Sequence, residues 1–193
     1  YFSPRSFNNY YGVPLSLCNL EQEHKYGVFE IGMSKKGEIN NLSKVVKPNI
    51  AIITNIAEAH IENFKNLNHI AKAKGEIINN ISSQGSLIID RDSKFFNYFK
   101  SKAEKRKIKV ISVGYNNNSN IKIEKIKNYL HYKLLTIKSF NKKYELKIKG
   151  QLIKNILFAV AVLEILNLDI NKIKNKIKKI GILEGRGKIY KIK

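Results

Sequence analysis

Three side chains have the types and placement to do chemistry: Glu30 in YGVFEIG, His60 in TNIAEAH and Lys74 in IAKAKGEI. Glu30 ends a short apolar run. It precedes Gly32, whose missing Cβ lets the backbone turn sharply or approach a ligand. His60 follows a second apolar run, IAIITN, at 50–55. A carboxylate and a neutral imidazole together suit a divalent cation, and oxygen ligands with retained water suit Mg²⁺ beside phosphates. The plainer reading of each residue is a helix cap or a solvated surface group. Lys74 is less ordinary. On a helix advancing about 100° per residue, with Ile70 at zero, Lys74 falls at about 40°, inside the arc of Ala73, Ile77, Ile78 and Ile81. Lys72 falls at about 200°, on the wet side, by the same geometry. An ammonium on an apolar face is costly unless it has a partner. Lys74 is therefore expected either to snorkel or pair with Glu76 or another carboxylate, or to face phosphates or be modified. A buried, neutral lysine amine reacts with CO₂, and the resulting carbamate is a metal-binding carboxylate.

The elements that must position these residues follow from periodicity. The runs YGVFEI (26–31), IAIITN (50–55), LIID (87–90) and IKVISV (108–113) read as strands with little alternation, as in a parallel sheet covered on both faces. Helical stretches at 65–80 and 92–106 lie between them. This predicts an α/β fold, a mostly parallel sheet flanked by helices. From 121 to 149 the pattern alternates, which predicts an antiparallel β extension turning at NNSN and FNKK. A nearly apolar helix at 152–166 and a lysine-rich amphipathic helix at 169–179 complete the series. In open parallel sheets ligands bind beyond the carboxyl ends of the strands, where Glu30 and His60 are expected.

Composition narrows the function classes. Apolar residues form 43% of the chain, enough for a substantial core in one domain of 193 residues. No apolar run is long enough to span a membrane. The single cysteine, Cys18 in VPLSLCNL, excludes a disulfide framework, fits the cytoplasm, and reads as a buried structural thiol. The net charge of +21 invites a nucleic-acid role. The lysines, however, are scattered over the whole chain, with no arginine-rich tract, stacking motif or zinc-finger spacing. A solvated basic surface that attracts a small anionic substrate is the expectation, without nucleic acid and without membrane insertion. The missing initiator Met points to an internal fragment.

FNNYYGVPLSL (7–17), FEIGMSKKGEI (29–39), TNIAEAHIENF (54–64) and IAKAKGEI (70–77) resemble, in order and spacing, the central ATPase domain of the Mur ligases. FNNxxGVPLSL and KAKGEI favour the branch that adds D-alanyl-D-alanine to UDP-N-acetylmuramoyl-tripeptide in peptidoglycan precursor synthesis. The resemblance implies a monomeric cytoplasmic enzyme using ATP and Mg²⁺ to make an acyl phosphate, which an amine then attacks. It implies that Glu30 binds Mg²⁺ beside the β- and γ-phosphates, that His60 binds a second Mg²⁺, and that Lys74 is carbamylated and positions that ion. It implies that Asn155 contacts adenine, that Arg186 reaches the nucleotide, and that Asn8 and Asn9 lie near the UDP-sugar. The bland alternatives are a helix-packing or capping Asn155, a charged turn at Arg186, and plain turn formers at Asn8 and Asn9.

The sequence departs from the family in two ways. No GxxxxGK[ST] phosphate loop occurs, nor do the N-terminal UDP-binding and C-terminal domains. A truncated central domain over 1–193, inactive by itself, is the expectation. The chain also reads GQLIKN at 150–155, where the family usually carries Gly-x-His before its asparagine. Two alternatives stand beside this reading. One is a related amide ligase of the folylpolyglutamate or cyanophycin synthetase type. The other is a non-catalytic basic binding module descended from a ligase, against which the presence of Glu30, His60 and Lys74 counts.

Overall fold

Three of the four apolar runs become strands. In a computed structural model, which describes residues 1–4, 6–58, 63–149 and 153–179, they are β1 (Ile50–Ile53), β2 (Ser86–Asp90) and β3 (Lys109–Gly114). Of these, β2 and β3 are buried along most of their length and β1 on one side only. With β4 (Ile121–Asn128), β5 (Lys133–Ser139) and β6 (Lys142–Ile148) they make one six-stranded sheet in sequential order. β3 and β4 pair in parallel, through Val113 and Ile121, while β4, β5 and β6 are antiparallel. The sheet is mixed and helices flank it, as expected for the α/β class. The helices are α1 (Gly12–Cys18), α2 (Glu38–Val46), α3 (Leu67–Lys74), α4 (Phe96–Glu104), α5 (Ile153–Ile165) and α6 (Ile170–Lys179).

The described chain gathers into two compact units. The first holds Tyr1–Leu87 and Ser93–Val110. In it the expected helix over 65–80 is α3 followed by a 3-10 helix, Gly75–Asn80. Asn66 caps α3, its Oδ1 accepting the His69 amide at 3.2 Å. Past Lys74 the chain tightens where Gly75 meets α4: a Cβ there would lie 3.2 Å from the Phe99 ring. Carbonyls of this stretch are satisfied by cations on α4 and just beyond it. Lys102 Nζ donates to Gly75 O at 2.7 Å, and the Arg106 guanidinium donates to Ile78 O. Phe64, Ile70 and Ala73 form a core cluster on which Met33, Ile56 and Leu67 pack.

Three expectations fail in the first unit or at the hairpins. Residues 26–31 are not a buried strand. Only an isolated parallel bridge joins Phe2 to Val28, and Val28 is 66% exposed. A parallel strand is buried by neighbours on its edges and faces, and the one described partner of this run is Tyr1–Ser3. Cys18 is exposed, not buried. It ends the seven-residue α1, whose buried residues are Gly12, Val13 and Ser16, so the apolar stretch turns only one side inward. NNSN is not a hairpin turn but belongs to the connection between the parallel β3 and β4.

The second unit comprises Ile88–Asp92 and the chain from Ile111 onward. The β4–β5 hairpin turns at Tyr129–Tyr132, where the two tyrosine rings stack at 4.6 Å and the Tyr129 amide donates to Tyr132 O. FNKK does turn, between β5 and β6. α5 lies against the hairpins, and Glu164 at its end accepts from Ser139 Oγ, Tyr144 OH and Lys142 Nζ. These bonds outweigh the opposing effect of burial and hold the Glu164 carboxyl below its ordinary range.

Candidate functional site

Lys74 ends α3 with its side chain half-buried, while Lys72 is exposed, as the helical geometry requires. Ile70 and Ala73, on the same face, are almost wholly buried. Its partner is not Glu76 but a carbonyl: Lys74 Nζ donates to Asn55 O at 2.8 Å, in the segment leaving β1. Burial pushes the Lys74 amine below its ordinary value. Glu76 is engaged elsewhere. Both of its oxygens accept the Gly37 amide at 3.0 Å, and Oε2 also accepts the Asn40 amide at 3.2 Å. It thus caps α2, whose N-terminal Gly37 has no side chain for the task.

Glu30 is exposed and is brought to Asn8: Asn8 Nδ2 donates to Glu30 Oε1 at 2.9 Å. Gly32 is what permits this approach. Its amide donates to Asn8 O at 2.7 Å, and a Cβ on it would lie 3.1 Å from the Asn8 side chain. Met33, next in the chain, packs on the cluster that carries the buried face of α3. Asn9 turns its side chain to a local duty, its Oδ1 accepting the Tyr11 and Gly12 amides at the start of α1. His60 and Arg186 lie outside the described residues. Among the described residues no group of three His, Cys, Asp or Glu is placed to hold a metal ion, and no helix is long and apolar enough to cross a membrane.

In the second unit Asn155 occupies the first turn of α5 and is exposed. Beside it stands a cluster that sequence reasoning did not single out. Lys154 Nζ lies 2.6 Å from Asp90 Oδ2 and 3.0 Å from Asp92 Oδ2. Asp90 is the last residue of β2, and its Oδ1 accepts the Asp92 amide at 2.9 Å. Asp92 in turn accepts the amides of Tyr115 and Asn116 at 2.9 and 3.0 Å. Burial opposes both charges, yet the Tyr115 amide and Lys154 hold the Asp92 carboxyl below its ordinary range, and Asp90 and Asp92 hold Lys154 above its own. The sequence signal was a lysine in the first turn of a mostly apolar helix, with two aspartates following an apolar run.

The chain matches the family model described as the Mur ligase middle domain over residues 2–163. It is 36% identical over 182 residues to the UDP-N-acetylmuramoyl-tripeptide–D-alanyl-D-alanine ligase of Buchnera aphidicola, covering 93% of this chain and 39% of that protein. It superposes on the crystal structure of MurF from Acinetobacter baumannii with a TM-score of 0.88 and 26% identity, covering 96% of this chain and 41% of that one. The fold also matches MurF of Thermotoga maritima in complex with ADP, with a TM-score of 0.83 and 21% identity, over 96% of this chain and 43% of that one. The chain thus spans about two fifths of the length of these relatives.

Proposed function

This chain belongs to the Mur ligase family through its middle domain, and on that footing we propose that the protein carrying it is an ATP-dependent ligase joining D-alanyl-D-alanine to UDP-N-acetylmuramoyl-tripeptide. The observation that supports the reading most is the 36% identity to a ligase of that name, over 93% of this chain and 39% of that protein. Residues 2–163 match the middle domain, and on this reading ligation belongs to the protein that carries it, in the cytoplasm. ATP is the nucleotide on this reading, and a relative of the same fold holds ADP.

The reaction sets an electrostatic problem. A peptide carboxylate must attack the γ-phosphorus of a polyanion, ADP leaving as the acyl phosphate forms, and an amine must then attack the acyl carbon, inorganic phosphate leaving as the amide bond forms. Positioning and charge neutralisation do most of such work. Mg²⁺, when bound, would draw off phosphate charge beside Glu30. The residues present fit it: Glu30 is an exposed carboxylate of the hard-oxygen type, oriented through Oε1 by the Asn8 amide. We assign His60 to a second ion. Lys74 as an ammonium repels a cation, so it serves that ion only as a carbamate. Its half-buried place and its lowered pKa favour the neutral amine from which a carbamate forms. Asn155 is assigned to the adenine, Arg186 to the nucleotide, and Asn8 and Asn9 to the vicinity of the sugar nucleotide.

The test is phosphate release by the full protein, with UDP-N-acetylmuramoyl-tripeptide and ATP held constant and the amine varied. Release that requires D-alanyl-D-alanine is expected. Release driven by a single amino acid, or by a folate or cyanophycin substrate, would overturn the substrate assignment.

A further inference from the structure

A lysine in the first turn of a helix is electrostatically misplaced, because the unpaired amides there already carry partial positive charge. α5 has no acidic residue in its own first turn to offset Lys154. The offset comes from elsewhere: Asp90 at the end of β2 and Asp92 just beyond it, both close on Nζ. Neither carboxylate is loose. Asp90 is held by the Asp92 amide, and Asp92 by two amides of the segment that follows β3. The Tyr115 ring sits 5.5 Å from the same Nζ. The ammonium is therefore gripped by groups whose own positions are fixed by backbone.

Asn155 is the next residue, exposed, and among the described residues no hydrogen bond holds its side chain. The backbone of the helix turn it stands on sets its Cα–Cβ direction. Helix ends fray unless something anchors them. Here the anchor is one residue away.

We propose that Lys154 is a positioning residue, whose ion pairs with Asp90 and Asp92 fix the first turn of α5 and so aim Asn155 at the nucleotide base. This rests on the reading that Asn155 meets adenine. Lys154 touches no reacting atom. It acts through Asn155 by sparing the helix end the entropy of ordering when the nucleotide binds.

The experiment is a double-mutant cycle in the full protein, reading KM for ATP, kcat, and ATP affinity by calorimetry. Lys154→Met should raise KM for ATP by about tenfold with kcat little changed, and Lys154→Arg should restore most of the loss. Asn155→Ala should weaken ATP similarly. Lys154→Met added to Asn155→Ala should then cost little more, because both act through one contact. If Lys154→Met does not fold, Asp90→Asn, which leaves the Asp92 pair in place, should show the same direction at smaller size. Additive losses, or an unchanged KM for Lys154→Met where Asn155→Ala weakens binding, would overturn the positioning role and leave the nucleotide reading standing. If Asn155→Ala binds ATP normally, the assignment of Asn155 falls and the positioning role with it.

Discussion

Lys74 Nζ donates to the Asn55 carbonyl at 2.8 Å, tying the last turn of α3 to the segment that leaves β1. The bond satisfies the lysine without neutralising it, since a carbonyl offers a dipole and no charge. Burial then acts on the charged form and lowers the pKa. Between that lowered value and the ordinary one, the unfolded chain binds more protons than the folded chain, so stability contributed by this site rises with pH across that window. Below the folded value both states are charged and the contribution is flat. Urea unfolding of the protein and of Lys74→Met at increasing alkaline pH should show the wild-type advantage growing. The difference between the two isolates Lys74 from the other lysines and tyrosines that titrate nearby. An advantage that shrinks as pH rises would contradict the burial argument.

Glu30 and Asn8 predict a separation of function from stability. Glu30 is exposed and its one described partner is the Asn8 amide. Surface substitutions of this kind shift stability by no more than about 0.5 kcal/mol. Glu30→Gln keeps a carbonyl oxygen for Asn8 but removes the charge a divalent cation needs. Ligation by the full protein should fall by at least about a hundredfold, with an unchanged thermal midpoint. A variant that keeps its activity at low Mg²⁺ would remove Glu30 from the metal site.

Much of this was legible in the sequence. LIID and IKVISV betray themselves because strands covered on both faces carry unbroken apolar runs, whereas IAIITN forms its strand with one face open, Ile52 being 37% exposed. The helical wheel separated Lys74 from Lys72 for the same reason that it placed Ile70 and Ala73 in the core. YGVFEI misled because an apolar run states only that burial would help, not that a neighbour exists to provide it. NNSN misled because turn-forming residues also build the connection from β3 to β4, whereas the true hairpin turn is held by a tyrosine pair that no turn rule anticipates. α1 and α2 went unread: one is a single short piece, and the other has a glycine at its cap, with Glu76 supplying the acceptor from far along the chain. The Asp90–Lys154–Asp92 cluster was invisible for a similar reason, since only the fold brings residues 90 and 154 together.

Glu76 is a capping residue in a place where the sequence suggested a partner for Lys74. Its carboxylate gathers the Gly37 and Asn40 amides at the positive end of α2. Glu76→Ala should cost about 1–2 kcal/mol, the usual worth of a helix cap with a charged acceptor. Glu76→Gln should cost less, because an amide oxygen still accepts. Urea denaturation midpoints decide it. A neutral Glu76→Ala would mean that water replaces the cap without loss.

Gly114 closes β3 directly against Asp92. A Cβ at this position would lie 2.8 Å from Asp92 Oδ2 and 2.9 Å from its Cγ, closer than real side chains come. A free carboxylate would swing aside. This one is fixed by the Tyr115 and Asn116 amides and by Lys154, so the new methyl must move several groups or bend the strand end. Its φ of +156° adds a backbone preference for glycine. Gly114→Ala should therefore destabilise by about 1–3 kcal/mol, the range for overpacking at a fixed site. Two causes are in play, and a second substitution separates them. In an Asp92→Ala background the carboxylate is gone, and most of the Gly114→Ala cost should vanish if crowding dominates. A cost that persists undiminished would assign it to the backbone angle, and Asp92 would no longer explain why β3 ends in glycine.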